Sequence, residues 1–181
     1  MWYRNITTAE KHTSVIIALW LPKSAAAKLS VDKLGFESNA KLESNDDLHI
    51  TLIYLGKSDV LADNKDLIES VVENFAQNNS PIQGKVQGVG CFSGDGETKP
   101  FYASYDSPEL PILRQSLFDA IESTGVKIEQ NHGFTPHITL AYLESDDELP
   151  NISVPEIDID FTQITLAWAE EQKHYKLSKK V

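Results

Sequence analysis

Cysteine is almost missing from this chain. Cys91 stands alone among 181 residues, so no internal disulfide can form and no cysteine framework can hold a structural zinc. That usage suits a reducing compartment, and the expected location is cytoplasmic. Basic charge is scarce as well: 16 Lys and Arg face 27 Asp and Glu, for a net charge of −11 and an isoelectric point near 4.8. A surface of this sign repels long nucleic acid, which is gripped by cations that displace phosphate counterions. A small phosphodiester in a locally donor-rich pocket remains compatible. Long apolar runs are lacking too. No segment approaches the roughly 20 residues needed to span a bilayer, so no membrane partner is expected. The start, Met-Trp-Tyr-Arg-Asn, has none of the features of a secretion signal; Trp2-Tyr3-Arg4 is expected as a disordered tail, with a lid as the alternative. Length and apolar content suffice for a core without staples, and residues 1–181 are expected to form a single domain.

What is present reads as mixed strands and helices. Thr13–Leu21 (TSVIIALWL) is a compact, partly β-branched run ended by Pro22, which predicts a buried strand, and Lys23–Ser30 predicts a short helix. Leu48–Leu55 (LHITLIYL) returns to strand character. Residues 63–77 then place Leu67, Ile68, Val71, Val72 and Phe75 at helical spacing, with Asp63 or Asn64 as the cap. Gly84–Phe92 and Pro100–Tyr105 predict two strands around Ser93-Gly94-Asp95-Gly96. A helical stripe over Ser107–Ser123 and a strand at Phe134–Leu143 follow. After a polar, Pro-containing stretch, Phe161–Trp168 and Tyr175–Leu177 predict a closing hairpin turned at Glu170-Glu171-Gln172. The order points to α+β rather than a regular βαβ wind.

One short element occurs twice. Leu48-His49-Ile50-Thr51-Leu52 with Tyr54, and Pro136-His137-Ile138-Thr139-Leu140 with Tyr142, agree at His, Ile, Thr, Leu and Tyr. On a strand, residues two apart share a face, so each His projects beside its Thr while Ile50 and Ile138 point to the opposite layer. If the halves are related by a pseudo-two-fold axis, both pairs look into one cleft and flank a bound phosphate. One neutral imidazole can then take a proton from attacking water while the other, as imidazolium, protonates the leaving oxygen. An ordinary pKa of about 6.5 makes both forms accessible. The hydroxyls of Thr51 and Thr139 can donate to the non-bridging oxygens. The scheme needs no metal, and the acidic residues form no metal-ligand motif. A lone H-x-T is most often a half-buried histidine beside a β-favouring threonine; two copies in matching strands are far more specific.

At these residues the chain resembles the 2H phosphoesterase superfamily, whose signature is a pair of H-x-T motifs, here His49-Ile50-Thr51 and His137-Ile138-Thr139. The resemblance runs from the strand at Val15 to Thr165-Leu166-Ala167-Trp168. It implies a bilobal fold, two antiparallel sheets with outer helices around a central cleft, pseudo-two-fold symmetric. It also implies a metal-independent phosphodiesterase hydrolysing a cyclic phosphodiester, the 2',3'-cyclic phosphate of RNA ends or nucleotides, with catalytic His49, Thr51, His137 and Thr139 and no cofactor. The run 132–142 (HGFTPHITLAY) looks like the version in phage-encoded members, and Tyr142 stands where the RNA ligase-like branch commonly carries arginine. A phage enzyme in the host cytoplasm that degrades cyclic di- or trinucleotide immune signals is therefore one alternative. A non-catalytic nucleotide-binding or phage assembly module is the alternative of another class. The expected partner is a small nucleotide or RNA end; oligomeric state is left open.

Other residues carry weaker expectations. Strict alternation puts Tyr54 and Tyr142 off the His–Thr face in packing roles, although a bulge could bring Tyr142 to the cleft rim. A nucleotide needs an aromatic or apolar wall, and Phe134 and Trp168 are the favoured candidates alongside Tyr142. Trp20, Phe92 and Tyr102 are assigned to the core. His12-Thr13-Ser14 imitates the motif without its trailing Leu and Tyr and is set aside. His132 and His174 are read as solvated, Cys91 as a small core residue, and Glu144–Glu148 as a solvated acidic loop.

Overall fold

The computed structural model of the chain describes residues 13–93, 96–128 and 133–179. The predicted elements appear with small shifts of boundary. Strand β1 (Ser14–Trp20) runs into Pro22 and helix α1 (Lys23–Leu29). A two-residue strand β2 (Lys41–Leu42) precedes β3 (His49–Lys57). Helix α2 (Lys65–Gln77) follows with Asn64 at its N-cap, although the Asn64 side chain makes no capping bond. Then come β4 (Ile82–Cys91), β5 (Thr98–Asp106), α3 (Leu110–Glu122) and β6 (His137–Glu144). The chain closes with β7 (Ile157–Phe161), β8 (Gln163–Trp168) and β9 (Glu171–Lys176).

All the strand pairings are antiparallel and make two sheets, β3-β1-β8-β9 and β2-β6-β5-β4-β7. Strand β7 has no counterpart among the expected elements. Its sequence, Ile-Asp-Ile-Asp-Phe, alternates buried and exposed, which is the period of a half-buried strand; the flanking polar and proline residues mask it. The β8–β9 turn falls at Ala169–Glu170, one residue earlier than expected, because Ala169 takes the left-handed conformation at φ 54°.

The halves mirror each other: β1–α1–β3 is repeated as β5–α3–β6, and β1 pairs with β3 as β5 pairs with β6. The helices are exchanged between sheets. Helix α1 packs on β7 of the five-stranded sheet, α3 packs on β3 of the four-stranded sheet, and α2 covers β8 and β9. Val15, Ile17, Ile50, Leu52, Ile138, Leu140, Leu166 and Phe161 contribute to one buried cluster beneath both sheets. The sheets meet where β3 approaches β6. Each of these strands therefore gives its apolar face to the shared core and its other face to the cleft.

Candidate active site

The burial of the two motif strands is superimposable. In β3, His49 and Thr51 are half-buried between fully buried Ile50 and Leu52; in β6, His137 and Thr139 stand between Ile138 and Leu140 in the same way. Alternation along each strand thus puts an imidazole and a hydroxyl side by side on the cleft face. Each ring is also oriented by its own backbone. His49 Nδ1 lies 2.6 Å from the carbonyl oxygen of Asp47, and His137 Nδ1 lies 2.7 Å from that of Thr135, two residues upstream in both cases. A carbonyl can only accept, so Nδ1 carries the hydrogen in both rings. Nε2 is then the nitrogen that gains or loses a proton, the arrangement an acid–base pair requires.

A matched irregularity follows each threonine. In the β1–β3 pairing Ala18 faces Thr51 while Ile17 faces Ile53, so Leu52 is the extra residue of a bulge. In the β5–β6 pairing Tyr102 faces Thr139 while Phe101 faces Ala141, and Leu140 is the extra residue. A bulge of one residue resets the alternation. Tyr54 and Tyr142 accordingly return to the half-buried face that carries the His–Thr pairs, and the expectation that strict alternation turns them away is corrected. Arg114 of α3 secures the first bulge, its Nε donating to the Leu52 carbonyl at 3.3 Å. Its guanidinium is buried against the rings of Phe118 and Phe134, at 4.9 and 5.5 Å. Burial lowers its pKa, and its Nη2 has no hydrogen-bond partner among the described residues.

The aromatic surroundings differ from the expected ones. Trp20 pairs with His49 across β1 and β3 and stacks on its ring, with centroids 4.7 Å apart and planes inclined by 21°. Phe92 meets His137 edge to face at 4.7 Å, Tyr102 meets it at 5.4 Å, and Phe92 stacks on Tyr102 at 4.3 Å. The assignment of Trp20 and Tyr102 to the core is corrected, since both are partly exposed beside the histidines; Phe92 is buried as expected, and it also flanks His137. For Trp20 the signal is its phase, which is opposite to that of Val15, Ile17 and Leu19. Trp168, by contrast, pairs with Val15 in the core row of β1, and Lys65 of α2 stands over its ring at 5.6 Å. It lies on the helix side of its sheet, away from the His–Thr face. Phe134 packs beside Arg114 and against the core. The structure therefore does not bring Trp168 to the motif residues, and it gives Phe134 a packing neighbour in the helix layer. His132 and His12 lie outside the described residues. Burial pushes the Cys91 thiol up, which works against a nucleophilic thiolate.

Tyr102 reaches His137 because residue 90 has no side chain. Gly90 pairs with Tyr102, and a Cβ there would come within 2.5 Å of the phenol Cζ and Oη. Gly90→Val is expected to displace the ring from His137 and to reduce turnover roughly 10- to 100-fold, the scale of small misplacements in a catalytic site. The urea midpoint should stay near that of the parent. Turnover equal to the parent's would show that the Tyr102–His137 contact is dispensable.

Tyr142 makes the stability of the fold depend on pH in the alkaline range. Burial, with Glu43 nearby and hydrogen-bonded to it, pushes its phenol up to about 12. The folded state holds this proton more tightly than the unfolded chain, where tyrosine titrates at about 10. The resulting stabilisation is complete below about pH 10 and is lost as pH rises through about 12. Tyr105, whose hydroxyl donates to the Ile159 carbonyl at 3.0 Å, is shifted in the same direction by burial. Denaturation curves across this range should lose stability less steeply for Tyr142→Phe than for the parent; identical slopes would assign the alkaline loss to other groups.

A model of the 2'-5' RNA ligase superfamily matches residues 22–172, a span that includes both H-x-T motifs. The chain belongs to that superfamily. Known structures repeat the fold. TT0787 of Thermus thermophilus superposes with a TM-score of 0.65 at 21% identity, covering 91% of this chain and 95% of that one. E. coli LigT complexed with 3'-AMP gives 0.69 at 18% identity over 92% and 95% of the two chains. LigT complexed with NADP+ gives 0.68 at 17% identity over 93% and 99%. No curated protein matches. The 2H phosphoesterase resemblance, with its two antiparallel sheets, outer helices and central cleft, is thereby established, and an enzyme of the phosphoesterase type is the class to which the chain is assigned.

Proposed function

We propose that residues 1–181 act as one catalytic domain that opens a 2',3'-cyclic phosphodiester on an RNA end or nucleotide, with His49 and His137 as the acid–base pair. The observation that carries this reading is the mirrored orientation of the two rings, each donating from Nδ1 to the carbonyl two residues upstream. Two histidines prepared in the same tautomer on adjoining strands suit a reaction in which one Nε2 accepts a proton and the other donates one. Water attacks phosphorus and loses its proton to the neutral ring. The bond from phosphorus to the 2' or 3' oxygen breaks, and the imidazolium gives its proton to that leaving oxygen. The product is a phosphomonoester. Thr51 and Thr139, beside the rings, donate to the non-bridging oxygens as charge builds there.

Trp20 on one side and Phe92 with Tyr102 on the other provide apolar walls suited to a nucleoside, since base stacking contributes about 1–3 kcal/mol per base. Solved LigT structures hold 3'-AMP, ATP and NADP+, which supports a small nucleotide as the ligand here. The test is turnover, with EDTA present, of 2',3'-cyclic nucleotides and of cyclic di- and trinucleotides, set against a His49→Ala/His137→Ala variant. Hydrolysis of the 2',3'-cyclic compounds by the parent alone is the expected result. Hydrolysis confined to cyclic di- or trinucleotides would replace the substrate by the immune-signal alternative, and no hydrolysis of either would leave the binding or assembly reading.

A further inference from the structure

The stripe by which α3 meets the core is Leu110, Arg114, Leu117 and Ile121, and Arg114 is its one charged member, only 8% exposed. A leucine would continue the stripe without taking a cation out of water, which is costly. Among the described residues no carboxylate lies within ion-pair distance of the guanidinium. Its Nη1 donates to Gln115 Oε1 at 3.4 Å, and Gln115 donates in turn to Asp119 at 2.8 Å. Burial lowers the pKa, and Asp119 opposes that only in part. What an arginine offers here and a leucine cannot is a donor and a flat polar face.

Both are used, and on different motifs. The bulge after Thr51 leaves Leu52 without a partner on β1, and Arg114 Nε meets the Leu52 carbonyl at 3.3 Å. In the other half the equivalent carbonyl, that of Leu140, accepts from the backbone N–H of Glu43 at 2.9 Å, just beyond β2. Strand β6 lies inside its sheet between β2 and β5, whereas among the described residues β3 is an edge strand. A helix side chain thus serves β3 where a neighbouring strand serves β6. The second contact reaches the other motif. The guanidinium lies over the ring of Phe134 at 5.5 Å, and the next residue, Thr135, carries the carbonyl that fixes the His137 ring through Nδ1.

We propose that Arg114 is a positioning residue that ties the two H-x-T motifs together, holding the bulge beside Thr51 with Nε and the segment ahead of His137 with its flat face. Its effect on rate rests on the phosphodiesterase reading of the cleft. Arg114 belongs to the helix layer and acts on turnover only through Leu52 and Phe134. Two imidazoles that serve one phosphorus need a fixed separation, and a displacement of about 1 Å can cost roughly 100-fold in rate.

Arg114→Met keeps the bulk of the stem and removes the donor and the flat face. Its kcat per folded molecule on a 2',3'-cyclic nucleotide should fall about 10- to 100-fold, with KM near the parent's. The urea midpoint should hold, because an apolar side chain has replaced a buried cation. Nitrogen NMR spectra of the imidazoles give a readout that does not depend on turnover. In the parent both rings should be held with the proton on Nδ1. In Arg114→Met the His137 ring should shift toward a mixture with the Nε2–H tautomer, while His49, oriented from Asp47, stays as it was. Arg114→Lys returns a donor for the Leu52 carbonyl without the flat face. It should recover part of the rate and leave the His137 spectrum like that of the methionine variant, and that spectrum carries the test if Arg114→Met does not fold. Parental kcat per folded molecule in Arg114→Met, a lysine variant no faster than the methionine one, or an unchanged His137 spectrum in either would overturn the proposal. A parent that cleaves no 2',3'-cyclic compound refutes the reaction and not the tie, which the His137 spectra then decide alone.

Discussion

His137→Ala is expected to lower turnover of a 2',3'-cyclic nucleotide by roughly 10² to 10⁴-fold, the usual contribution of one acid–base group, with little change in KM. In the proposed mechanism the ring acts as a proton carrier, so ground-state binding should persist on Thr51, Thr139 and the aromatic walls. The fold should also persist. His137 is half-buried at the start of β6, and the substitution gives up the bond from Nδ1 to the Thr135 carbonyl and the edge contacts with Phe92 and Tyr102 rather than a buried core side chain. His49→Ala should behave alike, since His49 occupies the equivalent place on β3. Combining the two should cost much less than the product of the single losses, because acid and base serve one step. Single-turnover rates with equilibrium dialysis of a product nucleotide check this. A single variant that retains parental turnover would remove that histidine from the mechanism.

One residue further along the strand, the expected outcome reverses. Ile138 is fully buried in the core shared by both sheets, and Ile138→Ala should destabilise the protein by about 2–5 kcal/mol through lost transfer energy and the cavity left behind. In a chain of this size that lowers the melting temperature by roughly 2–4 °C per kcal/mol. Activity per folded molecule should change far less than in His137→Ala. Urea denaturation paired with active-site titration separates the two quantities. Parental stability would mean that β6 is not seated on the core as described.

The paired substitutions show why so much of the site could be read from sequence. A strand has a period of two, and the motif writes chemistry on one phase and core on the other, twice. That local rule locates His49, Thr51, His137 and Thr139 and the strands that bear them, and it needs no knowledge of what lies across the sheet. It fails at Tyr54 and Tyr142, where the extra residues Leu52 and Leu140 shift the phase. A bulge is a property of two paired strands. Nothing in a single strand's alternation marks it beforehand, and in β3 the Leu52 carbonyl is held by Arg114 from a helix far along the chain.

The aromatics escape the sequence reading for a related reason. Trp20, Tyr102 and Trp168 all sit on strands rich in apolar residues, and strand character alone does not say which face meets a helix. Trp168 lies on the α2 side because β8 pairs with β1 in the register that sets it opposite Val15. Trp20 lies on the cleft side because it pairs with His49.

By itself the sequence determined the class of chemistry, the four residues proposed to perform it, the succession of strands and helices apart from β2 and β7, and the acidic balance that disfavours long nucleic acid. These follow from short-range periodicity and composition, which act within a few residues. Only the tertiary structure decided which aromatic rings flank the two histidines, which face each tyrosine takes, and that Thr51, Ala18, Thr165 and His174 fall in one row across the four-stranded sheet. Such facts depend on register between segments far apart in the chain, and register is settled by the packing of both sheets on a common core.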